Sequence, residues 1–186
     1  QEERERTHQP WLCVLAGRSG TGKTTLAKQL AQATGACYLR VDAVETALYR
    51  VQEHIGAAGY VVVHEVAASN LLLGMHVIVD AVNAVPETRA AWHETAHRCG
   101  AQLTVLETVL PDGDEHRRRV ESRQADIPGH QVPTWSEVQA DGWVPWSEDR
   151  DGARVAVDTT VAEVPCETLG EHASTLTRAH AAFQGL

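Results

Sequence analysis

Apolar residues in this chain fall into short continuous runs, each closed by a glycine or an aspartate, and between the runs they recur at helical spacing. Trp11 to Ala16 has no polar gap and stops at Gly17, which predicts a strand covered on both faces. Gly22 to Thr34 predicts a helix closed by Gly35. Cys37 to Val41 predicts a second strand ended by Asp42, and Val44, Leu48, Val51 and Ile55 predict a helix over Ala43 to Ile55. Tyr60 to Leu73 predicts a mostly apolar helix stopped by Gly74. His76 to Val79 predicts a third strand ending at Asp80, and Pro86 opens a helix running to about Cys99. Leu103 to Leu110 gives a fourth strand and Arg154 to Val157 a short fifth before Asp158. Thr168 to Phe183 is expected to be a closing helix.

Strands that alternate with helices imply right-handed crossovers and a parallel sheet between helical layers. The expected fold is therefore α/β: a three-layer sandwich around a five-stranded parallel sheet. It forms one domain, residues 11 to 186, behind a polar arm of residues 1 to 10. Ligands of such sheets sit at the strand carboxyl ends, where Asp42, Asp80 and Asp158 all fall. Residues 112 to 150 hold Pro128, Pro133, Pro145, three tryptophans and a run of arginines, and read as an insertion expected to act as a lid.

Composition narrows the function classes. With 186 residues and 43% hydrophobic content the chain can bury a core, and a net charge of -9 gives no broad cationic surface for nucleic acid. No apolar stretch approaches about 18 residues, so no membrane span is expected, and a cytoplasmic monomer or homodimer is. Cys13, Cys37, Cys99 and Cys166 are scattered and read as reduced core thiols. Lys23 and Lys28 are the only lysines, so anion sites must rest mainly on arginine.

One motif carries most of the chemistry. Gly17-Arg-Ser-Gly-Thr-Gly-Lys23-Thr24 matches G-x-x-x-x-G-K-[ST], directly after an apolar run and directly before a helix. Gly17, Gly20 and Gly22 allow the backbone to curl so that the N–H groups of this loop, Ser19 and Thr21 included, face phosphate at the positive end of the helix. Lys23 is expected on the β- and γ-phosphates, Thr24 on Mg²⁺, and Thr25 in helix packing or at the α-phosphate. ATP is the expected nucleotide. No N-K-x-D segment for a guanine base is present, and Ala81 follows Asp80 where mechanical ATPases carry a second acid; both favour a small kinase.

These pieces resemble the P-loop small-molecule kinases of the gluconate kinase, shikimate kinase and chloramphenicol phosphotransferase group, and more loosely the zeta-toxin-like kinases. The resemblance rests on Gly17 to Thr24, Arg-Val-Asp42-Ala, Val-Asp80-Ala-Val-Asn83 and the Arg-rich segment. It implies transfer of a phosphoryl group to a small-molecule hydroxyl, with Asp42 accepting the hydroxyl proton; the competing role for Asp42 is a helix N-cap before Ala43. It implies that Asp80 binds the metal's water or the substrate, with Asn83 and Arg89 close by. Arg119 and Arg123, one helical turn apart, match the lid pattern that covers the γ-phosphate. Asp158 and Thr159 resemble the stretch that packs beside adenine.

Trp135, Trp143 and Trp146 suggest a flat wall for stacking a sugar or heterocycle, or the packing of a long insertion. Tyr49 and Trp92 are expected to line the same acceptor pocket. The chain is also similar to actinomycete self-resistance kinases, which implies a nucleoside or sugar-containing antibiotic as acceptor, capuramycin-type nucleosides being the specific expectation. A primary-metabolism sugar kinase, a zeta-like toxin acting on a nucleotide sugar and a non-catalytic ATP-binding module are the alternatives.

Overall fold

A computed structural model describes residues 9–160. The predicted closing helix over 168–183, Cys166 and most of the polar arm lie outside the described residues. Five strands, β1 (Trp11–Ala16), β2 (Cys37–Arg40), β3 (Val77–Asp80), β4 (Gln102–Val109) and β5 (Val155–Asp158), form one all-parallel sheet in the order β2-β3-β1-β4-β5. The expected α/β three-layer sandwich is what the chain adopts.

The two-residue period of β1 explains how one apolar run serves two cores. Leu12, Val14 and Ala16 pack with Val63, Ala67, Leu71 and Trp92 on one side of the sheet. Trp11, Cys13 and Leu15 pack with Leu26, Ala27 and Leu30 on the other. All six β1 residues are buried, so a polar residue at any of them would lack a partner. The face carrying Leu26 is covered by α1 (Lys23–Thr34), and the opposite face by α3 (Ala58–Leu72) and α4 (Pro86–Arg98).

One helix departs from its predicted extent, and the reason is local. Helix α2 spans Val41–Leu48 rather than reaching Ile55: Val51 is 78% exposed, so the apolar face does not continue through it, and Ile55 is buried from outside the helix. The same helix begins one residue before Asp42, with Arg40 at the N-cap. Asp42 is thus neither a strand end nor the cap but an acid in the first turn, where the helix dipole favours its charge. Among the cysteines, Cys13 is buried while Cys37 and Cys99 are only part-buried.

The segment expected to be a lid folds into α5 (Gly113–Ser122), α6 (Trp135–Gln139) and α7 (Glu148–Asp151). Asp112 caps α5 by accepting from the backbone N–H of Asp114 and Glu115, and Thr134 and Glu137 close a reciprocal capping box on α6.

Candidate active site

The loop from Gly17 to Gly22 is a cradle that only glycine could shape. Gly17, Gly20 and Gly22 have φ of 143°, 82° and 93°, a region other residues rarely enter. A Cβ on Gly20 would sit 2.5 Å from Val120 of α5, so the loop is bare on the side where α5 packs against it. Thr21 donates to the carbonyl of Arg18 (2.7 Å) and shares a hydrogen bond with Thr108 (2.8 Å), Thr159 donates to the carbonyl of Thr21 (2.6 Å), and His116 Nε2 donates to the carbonyl of Ser19 (2.8 Å). Arg18, unassigned from sequence, pairs with Asp141 at 3.0 Å and reaches the Val138 carbonyl, tying the loop to α6.

Lys23 folds back to donate to the carbonyl of Arg18 (3.0 Å). Burial pushes its ammonium down to about 8; Asp80 and Asp42 oppose that shift, and Arg123 and Arg40 add to it. A polyanion in the cradle would restore the full charge. Thr24 donates to Asp80 Oδ2 at 2.7 Å, and Tyr38 donates to the same oxygen at 3.0 Å. Burial and then Asp80 hold the Tyr38 hydroxyl well above the usual tyrosine range, so it stays a donor. A hydroxyl and a carboxylate this close are hard oxygen donors suited to Mg²⁺, which takes one or two protein oxygens beside phosphates and water.

These groups open onto a cavity of about 450 Å³. Of the residues singled out from sequence, it brings together Ser19, Gly20, Gly22, Lys23, Thr24, Thr25, Asp42, Asp80, Arg119, Arg123 and Thr159. Gly17 and Thr21 shape the loop from behind. Asp158 is exposed outside the cavity, its carboxylate accepting from the backbone and hydroxyl of Thr160. Arg119 is anchored to Glu115 (2.7 Å) and to the Thr160 carbonyl (2.9 Å).

Four expected acceptor contacts are placed elsewhere. Tyr49 is 60% exposed beyond the end of α2. Asn83 and Trp92 are core residues: Trp92 Nε1 donates to Asn83 Oδ1 (2.9 Å), and Asn83 Nδ2 donates to the Leu15 carbonyl (2.9 Å). Arg89 is buried and donates to Asp151 (2.8 Å) and to the carbonyls of Asn83, Ala84 and Val144. The tryptophan wall dissolves with it, because Trp143 and Trp146 lie on the Arg89 guanidinium at 4.9 and 4.6 Å, and Trp135 meets His116 edge-on. A basic residue beside a buried cavity and one inside a finished core look alike in sequence.

Sequence reasoning missed Tyr38, Arg40, Lys28 and Asp126. Arg40 ends β2 in register with Asp80, donates twice to Asp126 (2.8 and 3.0 Å), and lies 3.8 Å from Asp80 and 3.9 Å from Asp42. An arginine closing an apolar strand two residues before a candidate base was the available signal.

The family model described as AAA domain matches residues 12–139. Comparison with curated proteins finds no match. Among solved structures, a candidate kinase from Chloroflexus aurantiacus j-10-fl is similar at 21% identity and TM-score 0.73, over 91% of this chain and 98% of that one. A gluconokinase from Sinorhizobium meliloti 1021 is similar at 21% identity and TM-score 0.62, over 94% and 96%. The Mycobacterium tuberculosis APS kinase in complex with AMPPNP and APS is similar at 16% identity and TM-score 0.54, over 91% and 96%. No described helix is long and apolar enough to cross a membrane.

Proposed function

The chain belongs to the AAA-domain family, and we propose that it is an ATP-dependent phosphotransferase that moves the γ-phosphoryl group to a hydroxyl of a small molecule. One observation carries this reading: the cavity that holds the phosphate cradle and the Thr24–Asp80 pair also holds a carboxylate, Asp42, not otherwise needed for nucleotide. The similarity of fold to a gluconokinase and to an APS kinase bound to AMPPNP is in keeping with it.

The steps follow from the charges. Backbone N–H groups of Gly20 to Thr24 and the Lys23 ammonium take the β- and γ-phosphates. Thr24 and Asp80 would hold Mg²⁺, which supplies charge neutralisation between those phosphates when bound. Asp42 orients the acceptor hydroxyl and accepts its proton as the new O–P bond forms and the bond to the β-phosphate oxygen breaks, releasing ADP. Arg119 and Arg123 meet the charge spreading over the equatorial oxygens. A nucleoside or sugar-containing antibiotic is one member of this acceptor class; two of the tryptophans considered for stacking such a ring, Trp143 and Trp146, lie on Arg89 instead.

Incubation with Mg·ATP and a panel of hydroxylated sugars, sugar acids, sugar phosphates and nucleosides, read by mass spectrometry, should show the mass gain of one HPO₃ unit on an acceptor. Asp42→Asn should lower that turnover roughly 100-fold or more with ATP affinity kept. Lys23→Ala should abolish it through lost alignment of the triphosphate. ATP binding with no acceptor-dependent ADP release across the panel would defeat the reading in favour of a binding module.

A further inference from the structure

The acceptor side of the cavity contains an anion site already filled by the protein itself. Arg40 Nη1 and Nη2 grip Asp126 with two parallel hydrogen bonds (2.8 and 3.0 Å), and Lys28 Nζ reaches the same carboxylate at 3.2 Å. This is the fork-on-carboxylate geometry by which arginine recognises planar anions. The two partners are unequally fixed. The Arg40 side chain is 6% exposed and leaves a strand paired on β3, whereas the Asp126 side chain is 43% exposed and sits in the irregular stretch between α5 and α6. Arg40 Nε is buried with no hydrogen-bond partner among the described residues; Asp80 Oδ2 stands 3.8 Å away. A rigid guanidinium, one donor unused, is therefore met by a loosely seated acid, with Asp42 only 3.9 Å from the same fork.

We propose that Asp126 occupies the seat of an anionic group on the acceptor, so that the substrate is an alcohol bearing a carboxylate or phosphate. That group displaces Asp126, takes the Arg40 fork and Lys28, and leaves the substrate hydroxyl beside Asp42. The inference rests on the phosphotransferase reading and narrows its substrate class.

The energetics favour an anion over a neutral acceptor. Exchanging one carboxylate for another keeps the buried guanidinium paired. A neutral acceptor has no charge with which to displace Asp126, and pushing it aside would leave both Nη donors of Arg40 unpaired, with only the longer contacts to Asp80 (3.8 Å) and Asp42 (3.9 Å). The displaced acid, already half in water, loses little.

Two measurements test this. The first compares turnover of hydroxy acids and phosphorylated alcohols with uncharged compounds of the same skeleton. The wild type should favour the anionic members by roughly 100-fold in kcat/KM. Arg40→Met should erase that preference, Lys28→Ala should weaken it, and Asp126→Ala should lower KM for the anionic acceptor about tenfold by removing the internal competitor. Equal use of neutral and anionic acceptors, or a raised KM in Asp126→Ala as a merely structural latch requires, overturns the proposal. The second needs no turnover: with the cradle saturated by Mg·ADP, calorimetry should detect acetate binding to Asp126→Ala and none to Asp126→Ala/Arg40→Met. Acetate binding that survives loss of Arg40, or none to Asp126→Ala, overturns it even if no acceptor is ever phosphorylated; binding as expected without turnover would leave the anion seat standing and defeat only the phosphotransferase reading.

Discussion

Arg40 and Arg89 are both buried arginines held by an aspartate, and they differ in what surrounds them. Every arm of Arg89 is used: Nε and both Nη atoms donate to Asp151 or to main-chain carbonyls, and two tryptophans lie on the guanidinium. Its acid is fully enclosed with it. Arg40 has an unused donor, an acid reaching into water, and a cavity on one side. A saturated cation is a piece of the core, whereas an unsaturated one in a cavity wall is available to a ligand. That difference separates structure from function here better than residue type does.

The largest effect expected from this contrast is on stability at Arg89. Arg89→Met would leave the buried carbonyls of Asn83 and Val144 without this donor and Asp151 held only by Arg150 and the Ser147 N–H, at a cost of about 3–5 kcal/mol by urea denaturation. Nucleotide affinity measured below the unfolding transition should be unchanged. A variant of wild-type stability that loses acceptor turnover would reverse the roles assigned to the two arginines.

The acids give the next largest effect, as a dependence on pH. Hydrogen bonds from Arg150, backbone Ser147 and Arg89 outweigh burial and hold the Asp151 carboxyl well below the usual carboxylate range. Such a group adds stability that is present above the ordinary aspartate value and lost as pH falls through the lower folded value. Stability should therefore decline below about pH 4, approaching 1.4 kcal/mol per pH unit from this group, and Asp151→Asn should flatten that limb. Asp126 is also held low, mainly by the Arg40 hydrogen bonds, yet its exposure screens the effect. Asp126→Asn should thus leave most of the acid limb in place, and an equal flattening in both variants would contradict the contrast.

A smaller effect is expected from Arg40→Met on the fold. Asp126 and Asp42 can turn to water and the buried Asp80 keeps the hydroxyls of Thr24 and Tyr38, so the loss should be about 1 kcal/mol. A loss of the size predicted for Arg89→Met would mean that Arg40 is a core residue after all.

The contrast also explains what was legible in the chain. Sheet, layers and phosphate loop depend on contiguous residues: an apolar run, three glycines, a lysine and a helix follow one another from Trp11 to Thr34, and local rules read them directly. The proposed acceptor side draws on β2, α1 and the stretch after α5, and Asp126 lies 86 positions from the Arg40 it meets. Nothing in spacing joins such residues. Arg89 drew attention because it follows Asp80 and Asn83, but the helix that begins at Pro86 turns it into the core, where the carbonyl of Val144 and the side chain of Asp151 wait. The three tryptophans left stacking and packing both open for a related reason, since an aromatic wall and the aromatic clamp that Trp143 and Trp146 form on Arg89 have the same composition.

The faintest test lies at the far end of the Arg89 network. Arg89 Nε donates to the Asn83 carbonyl, the Asn83 side chain accepts from Trp92, and Trp92 stacks on His64 with ring centroids 3.6 Å apart. His64 also bonds Thr95 through Nδ1 at 2.8 Å. Burial pushes the imidazole below its ordinary value, Arg98 adds to the shift, and Glu65 and Glu94 oppose it. The unfolded chain then binds the proton more readily than the folded one, so stability should fall as pH drops through the ordinary histidine range toward the lowered folded value. Because the ring is only half-buried, the loss between about pH 7 and 5.5 should stay below about 1 kcal/mol. His64→Phe keeps an aromatic ring over Trp92 without a titrating nitrogen and should remove that slope, as followed by urea denaturation across the same pH range. If the slope persists in His64→Phe, protonation acts elsewhere, and the saturated network around Arg89 ends at Trp92.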